Sequence, residues 1–364
     1  MIPVYEPDLS IKEENYLLDA FRSGWISSKG RYVQEFEQEF ANFIGSQSSG
    51  ISVSNGTVAL HLALLALGIS NNDEVLVPNF TYIACANAVT YVGATPVFFN
   101  SNEIDLQPDL ESAKSKITSK TKAIILPHLY GSAADSKGFQ EFAKDKGIYL
   151  IEDCAEAIGT RLKGSHVGLL GDIATFSFFG NKTITTGEGG MVFSKDVNLD
   201  KQMRKLKNQG LSEPGSYHHD VVGFNYRMTN LQAAIGLAQT ERLPEILSKK
   251  IANHASYAKA LNQNQKIRLL EPIRGESSYW METVILAEGM KADKLIENLK
   301  QMRIETRPGF SLNADLPMYA KSANQKNLRF SLENRIINLP SSPLLKQEQI
   351  DYVCGVLSEL CQQT

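Results

Sequence analysis

The chain has 364 residues, more than one hydrophobic core ordinarily organises, so a large domain with a smaller companion is expected. Hydrophobic residues at 43% and charged residues at 21% exclude a disordered chain or a coiled coil, and 37 basic against 40 acidic residues leave a net charge of −3 without the basic face that nucleic acid requires. No apolar run approaches the ~20 residues needed to cross a bilayer, residues 1–6 carry no basic segment leading into an apolar one, and Cys85, Cys154, Cys354 and Cys361 are too scattered for a disulfide framework or a zinc site.

A cytoplasmic protein of enzyme size is therefore expected. Between 50 and 195, β-branched and aromatic runs at 50–54, 74–78, 96–99, 122–126 and 148–152 alternate with helical patterns at 58–67, 83–91, 110–116 and 137–146. Alternation of this kind predicts βαβ units and a largely parallel sheet covered on both faces. Two further strands, 173–179 and 190–194, flank a glycine-rich turn that would set them side by side in opposite directions, giving a mixed sheet. Helices follow at 199–208, 230–241 and 245–262, then a strand at 278–286, a helix at 292–302, a short strand at 304–307 and an amphipathic helix at 347–360. This second pattern predicts a small α+β domain over 245–364 beside a large α/β domain over 13–244, with residues 1–12 packing on the small one.

Three segments carry chemistry. Ser54-Asn55-Gly56-Thr57 lies between a predicted strand and a helix, where free N–H groups and the helix dipole suit a phosphate; an ordinary capped turn has the same appearance. Asp153 and Glu156 follow the strand 148–152, at the end where α/β enzymes place ligands. Asp153 there would hold a charged nitrogen or cap a helix. His128 and His166 match no metal spacing, so no metal is expected. Lys182 follows an apolar strand and precedes a glycine turn. Burial there would disfavour its ammonium form, as a Schiff-base amine requires, whereas a surface loop would leave it an ordinary lysine.

These segments, in this order, resemble the DegT/DnrJ/EryC1/StrS family of sugar aminotransferases nearly end to end. The likeness extends to Ser-Gly-Trp-Ile-Ser at 23–27, Val-Pro-Asn-Phe-Thr-Tyr at 77–82, Pro-His-Leu-Tyr-Gly at 127–131 and Gly-Phe-Asn-Tyr-Arg-Met at 223–228. The motif Phe-Phe-Gly-Asn-Lys-Thr-Ile-Thr-Thr-Gly-Glu-Gly-Gly at 178–190, with Tyr-Trp-Met at 279–281 and Glu-Thr-Arg-Pro at 305–308, is most similar to the GDP-perosamine synthase branch.

The resemblance implies a fold-type-I aminotransferase using pyridoxal 5′-phosphate (PLP). Lys182 would carry the cofactor and move the substrate proton. Asp153 would pair with the pyridine nitrogen, while Ser177, Gly56 and Thr57 would hold the phosphate. Tyr82 would stack on the ring, Glu156 would face the phenolic oxygen, and Asn225 would reach the phosphate from a neighbouring copy in a homodimer with shared active sites. The implied reaction takes an amino group from glutamate to C4 of a nucleotide-linked 4-keto-6-deoxyhexose, for cell-surface polysaccharide such as the O-antigen of lipopolysaccharide. Amination at C3 or of an octulosonate, and a non-catalytic nucleotide-sugar binder, are the alternatives. A 3-dehydratase of this scaffold would carry histidine in place of Lys182. The stretch 309–319 lacks the histidine usual in that branch, which marks it as a place for specificity to differ.

Overall fold

The computed structural model describes residues 1–213, 217–320 and 328–363. Two helices precede the first strand, where the sequence reading expects none. α1 (Ile11–Arg22) opens on a reciprocal cap: Ser10 Oγ accepts from the Lys12 N–H, and Glu13 Oε2 accepts from the Ser10 N–H at 2.7 Å. α2 (Arg31–Ile44) buries Tyr32, Phe36, Phe40 and Ile44, spaced by four, on one face.

The βα alternation then runs β1 (Ile51–Val53), α3 (Gly56–Ala66), β2 (Glu74–Pro78), α4 (Ala84–Tyr91), β3 (Thr95–Phe99), α5 (Leu110–Lys114), β4 (Thr121–Pro127), α6 (Ser136–Lys146) and β5 (Tyr149–Asp153). A small hairpin of β6 (Arg161–Leu162) and β7 (Ser165–His166) leads to β8 (Ile173–Ser177) and β9 (Gly190–Ser194). Seven strands form one sheet in the order β1-β9-β8-β5-β4-β2-β3, and β9 alone runs against its neighbours. The sheet is mixed, as expected, because the turn after Ser177 is too short for a crossover helix.

Both faces are covered. Leu62, Val75, Val77, Ile125 and Val192 pack beneath α3, α4 and α7 (Val197–Lys207). On the opposite face, α2 and α8 (Asn230–Glu241) enclose Phe36, Phe40, Phe176, Phe178 and Phe193, with the Phe40 ring 5.1 Å from those of Phe176 and Phe178. Edge-to-face pairs of this kind contribute about 0.5–1.5 kcal/mol beyond their buried area.

The remaining elements are α9 (Leu243–Leu261), β10 (Ile267–Leu269), β11 (Glu282–Leu286), α10 (Ala292–Gln301), β12 (Arg307–Pro308), β13 (Ile336–Leu339) and α11 (Gln347–Gln362). β10-β11-β13-β12 form an antiparallel sheet over a separate core containing Val284, Leu295, Leu299, Ile337 and Leu357. α9 begins two residues earlier than expected, with Pro244 in its first turn, where a missing N–H leaves no bond unmade. Residues 2–6 lie along this sheet: the Ile2 N–H donates to Arg303 O and the Ser341 N–H to Val4 O, each at 2.8 Å.

The expected strands at 50–54 and 173–179 each lose two residues, and two in the second pattern are shortened further. Of 278–286 only Glu282–Leu286 is extended in the sheet, because Ser277 Oγ and the Ser278 N–H are drawn to Gly131 O and Tyr279 turns into the left-handed region at φ 47°. Of 304–307 only Arg307 enters the sheet, since Ile304 bridges to Ile2 instead. Among the described residues no helix is long and apolar enough to cross a membrane.

Candidate active site

β4, β5 and β8 end on the same side of the large sheet, and a cavity of about 600 Å³ opens there against Arg307 and Asn338 of the second sheet and Trp280 and Met281 just before its strand β11. Seven of the eight residues singled out in the sequence line it: Gly56, Thr57, Tyr82, Asp153, Glu156, Ser177 and Lys182.

The floor is the start of α3. Asn55 Oδ1 caps the Val58 N–H at 2.9 Å, and the Gly56 and Thr57 N–H groups have no acceptor within the helix. A Cβ on Gly56 would lie 2.7 Å from Ser177 Cβ and 3.0 Å from Ser177 Oγ. The absence of a side chain at 56 therefore lets a helix N-terminus and a hydroxyl face one small space, an anion cradle.

Lys182 is held through its backbone. Its N–H donates to Phe179 O, its carbonyl accepts from Tyr5 Oη at 2.7 Å, and the carbonyl of Asn181 accepts from Trp280 Nε1 at 2.7 Å. The Lys182 amine lies 4.3 Å from the Trp280 ring centroid and has no hydrogen-bond partner among the described residues. Burial brings its pKa below the ordinary lysine value, with Glu156 and then Asp153 opposing.

Asp153 ends β5 in the centre of the sheet. Its Oδ1 accepts from the Ala155 N–H at 3.0 Å and Thr175 Oγ1 at 3.4 Å, and its Oδ2 from the buried Cys85 thiol at 3.3 Å. One direction on Oδ2 stays open for a donor in the cavity. Glu156, 6% exposed, accepts from the Tyr130 N–H at 2.9 Å. Burial pushes its pKa up to about 7; Asp153 adds to the rise, while Lys182 and the Tyr130 N–H oppose it.

Behind these groups lies a pair that the sequence did not reveal. His128 Nδ1 accepts from the Ala134 N–H at 3.1 Å, so Nε2 carries the hydrogen and donates to Glu152 Oε1 at 3.2 Å. Glu152 also accepts from the Leu170 and Gly171 N–H groups. Burial alone would raise its pKa, but these hydrogen bonds hold it well below the usual carboxylate range. His128 is thus a support for β5, and no cluster suited to a metal ion is present among the described residues.

The eighth expected residue lies elsewhere, and three histidines outside the cavity carry no catalytic part. Asn225 is exposed outside the cavity of its own chain, with Oδ1 accepting from Arg227 Nε at 3.1 Å and Nη2 at 2.9 Å. His61 bonds Tyr226 Oη at 2.9 Å and is structural, whereas His218 and His219 are on an exposed loop. Tyr82 is 55% exposed at the cavity mouth, facing Phe310 at 5.9 Å. Arg307, Phe310 and Asn338 also line the cavity; Arg307 falls in the Glu-Thr-Arg-Pro segment and Phe310 in the 309–319 stretch, whereas Asn338 has no sign in the sequence.

The donor set fits PLP. The cradle at Gly56, Thr57 and Ser177 suits a phosphate, Asp153 suits a protonated ring nitrogen, and Lys182 supplies an unpaired amine of lowered pKa. Fold and site together define an aminotransferase of the PLP-dependent class. The chain belongs to the DegT/DnrJ/EryC1/StrS aminotransferase family, which it matches over residues 7–358. It is 47% identical over 363 residues to the GDP-perosamine synthase of Escherichia coli O157:H7, covering 98% of each chain. It is also 47% identical to that of Vibrio cholerae over 367 residues, again covering 98% of each. Among solved structures it resembles the Psychrobacter cryohalolentis aminotransferase (28% identity, 98% of each chain, TM-score 0.90). It also resembles the PLP form of Spr1654 from Streptococcus pneumoniae, a provisional sugar aminotransferase (26% identity, 100% and 99% of the chains, TM-score 0.93).

Proposed function

We propose that this chain is a GDP-sugar 4-aminotransferase, moving an amino group from glutamate to C4 of a GDP-linked 4-keto-6-deoxyhexose for cell-surface polysaccharide. The observation that carries the reading is the Lys182 amine, unpaired and of lowered pKa in a cavity shared with Asp153 and Glu156. The two relatives named GDP-perosamine synthase, alike over 98% of the chain, support the substrate class.

When bound, PLP supplies an aldehyde that takes up amines and a ring that accepts the electron pair released at the substrate carbon. Gly56, Thr57 and Ser177 would fix its phosphate, and Tyr82 would cover the ring at the cavity mouth. Asp153 would hold a proton at the ring nitrogen, its charge opposing loss of that proton. Glu156 would hold a proton against the phenolic oxygen. The Lys182 amine, free of hydrogen bonds and depressed in pKa, would take the proton from the substrate carbon and return it on the cofactor side. Asn225 would reach the phosphate cradle of a second copy, so the working enzyme would be a cytoplasmic homodimer. Residues 13–244 and 245–364 would be its large and small domains.

The purified holoenzyme is expected to be yellow and to bleach with glutamate. The bleached form should then aminate a GDP-linked 4-keto sugar, giving a product identified by mass and NMR, while UDP- and dTDP-linked keto sugars should react poorly. Borohydride should leave a pyridoxyl tag on Lys182; a tag elsewhere overturns the assignment.

A further inference from the structure

Lys250, in the first half of α9, is 1% exposed. Its Nζ donates to Ser341 O at 2.8 Å and to Trp280 O at 3.2 Å, and lies 5.3 Å from the centroid of the Tyr5 ring. A buried ammonium is tolerated only with such acceptors, and burial still draws its pKa down to about 8, with Glu282 opposing. The other titratable groups near it are Tyr5 from the N-terminal segment and, one and two turns along α9, His254 and Tyr257. His254 is held between Glu282 and Glu271, and Tyr257 donates to Pro340 O.

Lys250 meets Trp280 at its main-chain carbonyl and Tyr5 at its ring, and the side chains of both residues return to the same peptide segment. Trp280 donates to Asn181 O and sets its ring face on the Lys182 amine; Tyr5 donates to Lys182 O. Two successive carbonyls are thus gripped from outside the large sheet, and one cation contacts both grips.

We propose that Lys250 is a positioning residue for Lys182: by holding the Trp280 carbonyl and the face of Tyr5, its ammonium fixes the two side chains that orient the Lys182 backbone and amine. The kinetic part of the proposal rests on the reading of Lys182 given above; the hold on Trp280 does not.

The test is Lys250→Met, which keeps the length of the side chain and removes the charge. In a Trp25→Phe background, where Trp280 is the one remaining tryptophan, the emission of the chain as purified should change with a midpoint near pH 8, and Lys250→Met should abolish that step. In the holoenzyme the variant should lose about tenfold in kcat while KM for glutamate stays within about twofold, the pattern of a misplaced catalytic group rather than a lost substrate contact. A folded variant with parental kcat and pH profile overturns the proposal. So does one whose kcat and KM move together while Trp280 emission is unchanged, since that is a merely structural effect. Should Lys250→Met not fold, Tyr5→Phe removes only the hydroxyl bonded to Lys182 O. It should lower kcat about threefold or more and move the absorbance titration of the bound cofactor; parental values in both overturn the proposal. If no cofactor binds at all, the proposed function fails, and the Trp280 titration still decides whether Lys250 holds that residue.

Discussion

Glu156→Gln isolates the electrostatics of the site. The substitution keeps an acceptor for the Tyr130 N–H, which Glu156 Oε2 now takes at 2.9 Å, and removes only the ability to ionise. In the folded protein burial raises the Glu156 pKa from 4.5 to about 7. The sign follows from proton binding: between these values the native state holds a proton that the unfolded chain has released, so stability falls as pH rises. The contribution is full below the unfolded value of 4.5 and lost as pH passes through about 7. At about 1.4 kcal/mol per pH unit, the interval amounts to about 3 kcal/mol. Denaturant unfolding of cofactor-free parent and variant should therefore agree to within about 1 kcal/mol near pH 5 and diverge toward pH 8, where the variant should be more stable by up to about 3 kcal/mol. Titrating groups remote from the site cancel in the difference, whereas Lys182 interacts directly with Glu156. A difference that is flat across this range refutes the assignment of a buried, near-neutral acid at 156. With PLP bound, the variant should retain the cofactor but change the pH dependence of its absorbance; an unchanged titration counts against contact with the phenolic oxygen.

Gly56→Ala places a methyl 2.7 Å from Ser177 Cβ, so cofactor affinity should fall by about tenfold or more while lysine reactivity persists at saturating PLP, as read by equilibrium dialysis and borohydride trapping. His128→Ala removes the donor to a buried carboxylate and should destabilise the chain by about 2–3 kcal/mol in denaturant unfolding, with Glu152→Gln in the same background recovering part of it. Cys85→Ala takes one of three donors from Asp153. With one donor fewer to hold that carboxylate in place, cofactor affinity should fall by about threefold or more in equilibrium dialysis, and parental affinity would dismiss a part for the thiol bond.

Much of this molecule is legible in its sequence wherever a side chain's own character decides its place. The runs at 74–78 and 122–126 are β-branched and apolar because strands buried on both faces must be, and Asp153, Ser177 and Lys182 stand out as polar residues at the ends of such runs. α2 carries an equally plain signal in Tyr32, Phe36, Phe40 and Ile44; α1 does not, since Ala20 is the one apolar residue it fully buries and its local sign is the Ser10–Glu13 cap. The run from Ser278 to Leu286 alternates as a strand should, yet Gly131 O captures its first residues, a contact across more than 140 positions that no local pattern encodes.

The supports of the active site were hidden for a related reason. Tyr5, Trp280 and Lys250 all donate to main-chain carbonyls, of Lys182, of Asn181, and of Trp280 and Ser341. Every residue carries a carbonyl, so nothing in the acceptor's identity marks the position; in their own segments Tyr5 and Trp280 look like packing residues and Lys250 like a solvated helix lysine. Residues that meet a ligand are chosen for their chemistry and can be read from a strand end. Residues that aim Lys182 through the backbone are chosen for where the fold brings them, and only the folded chain discloses that.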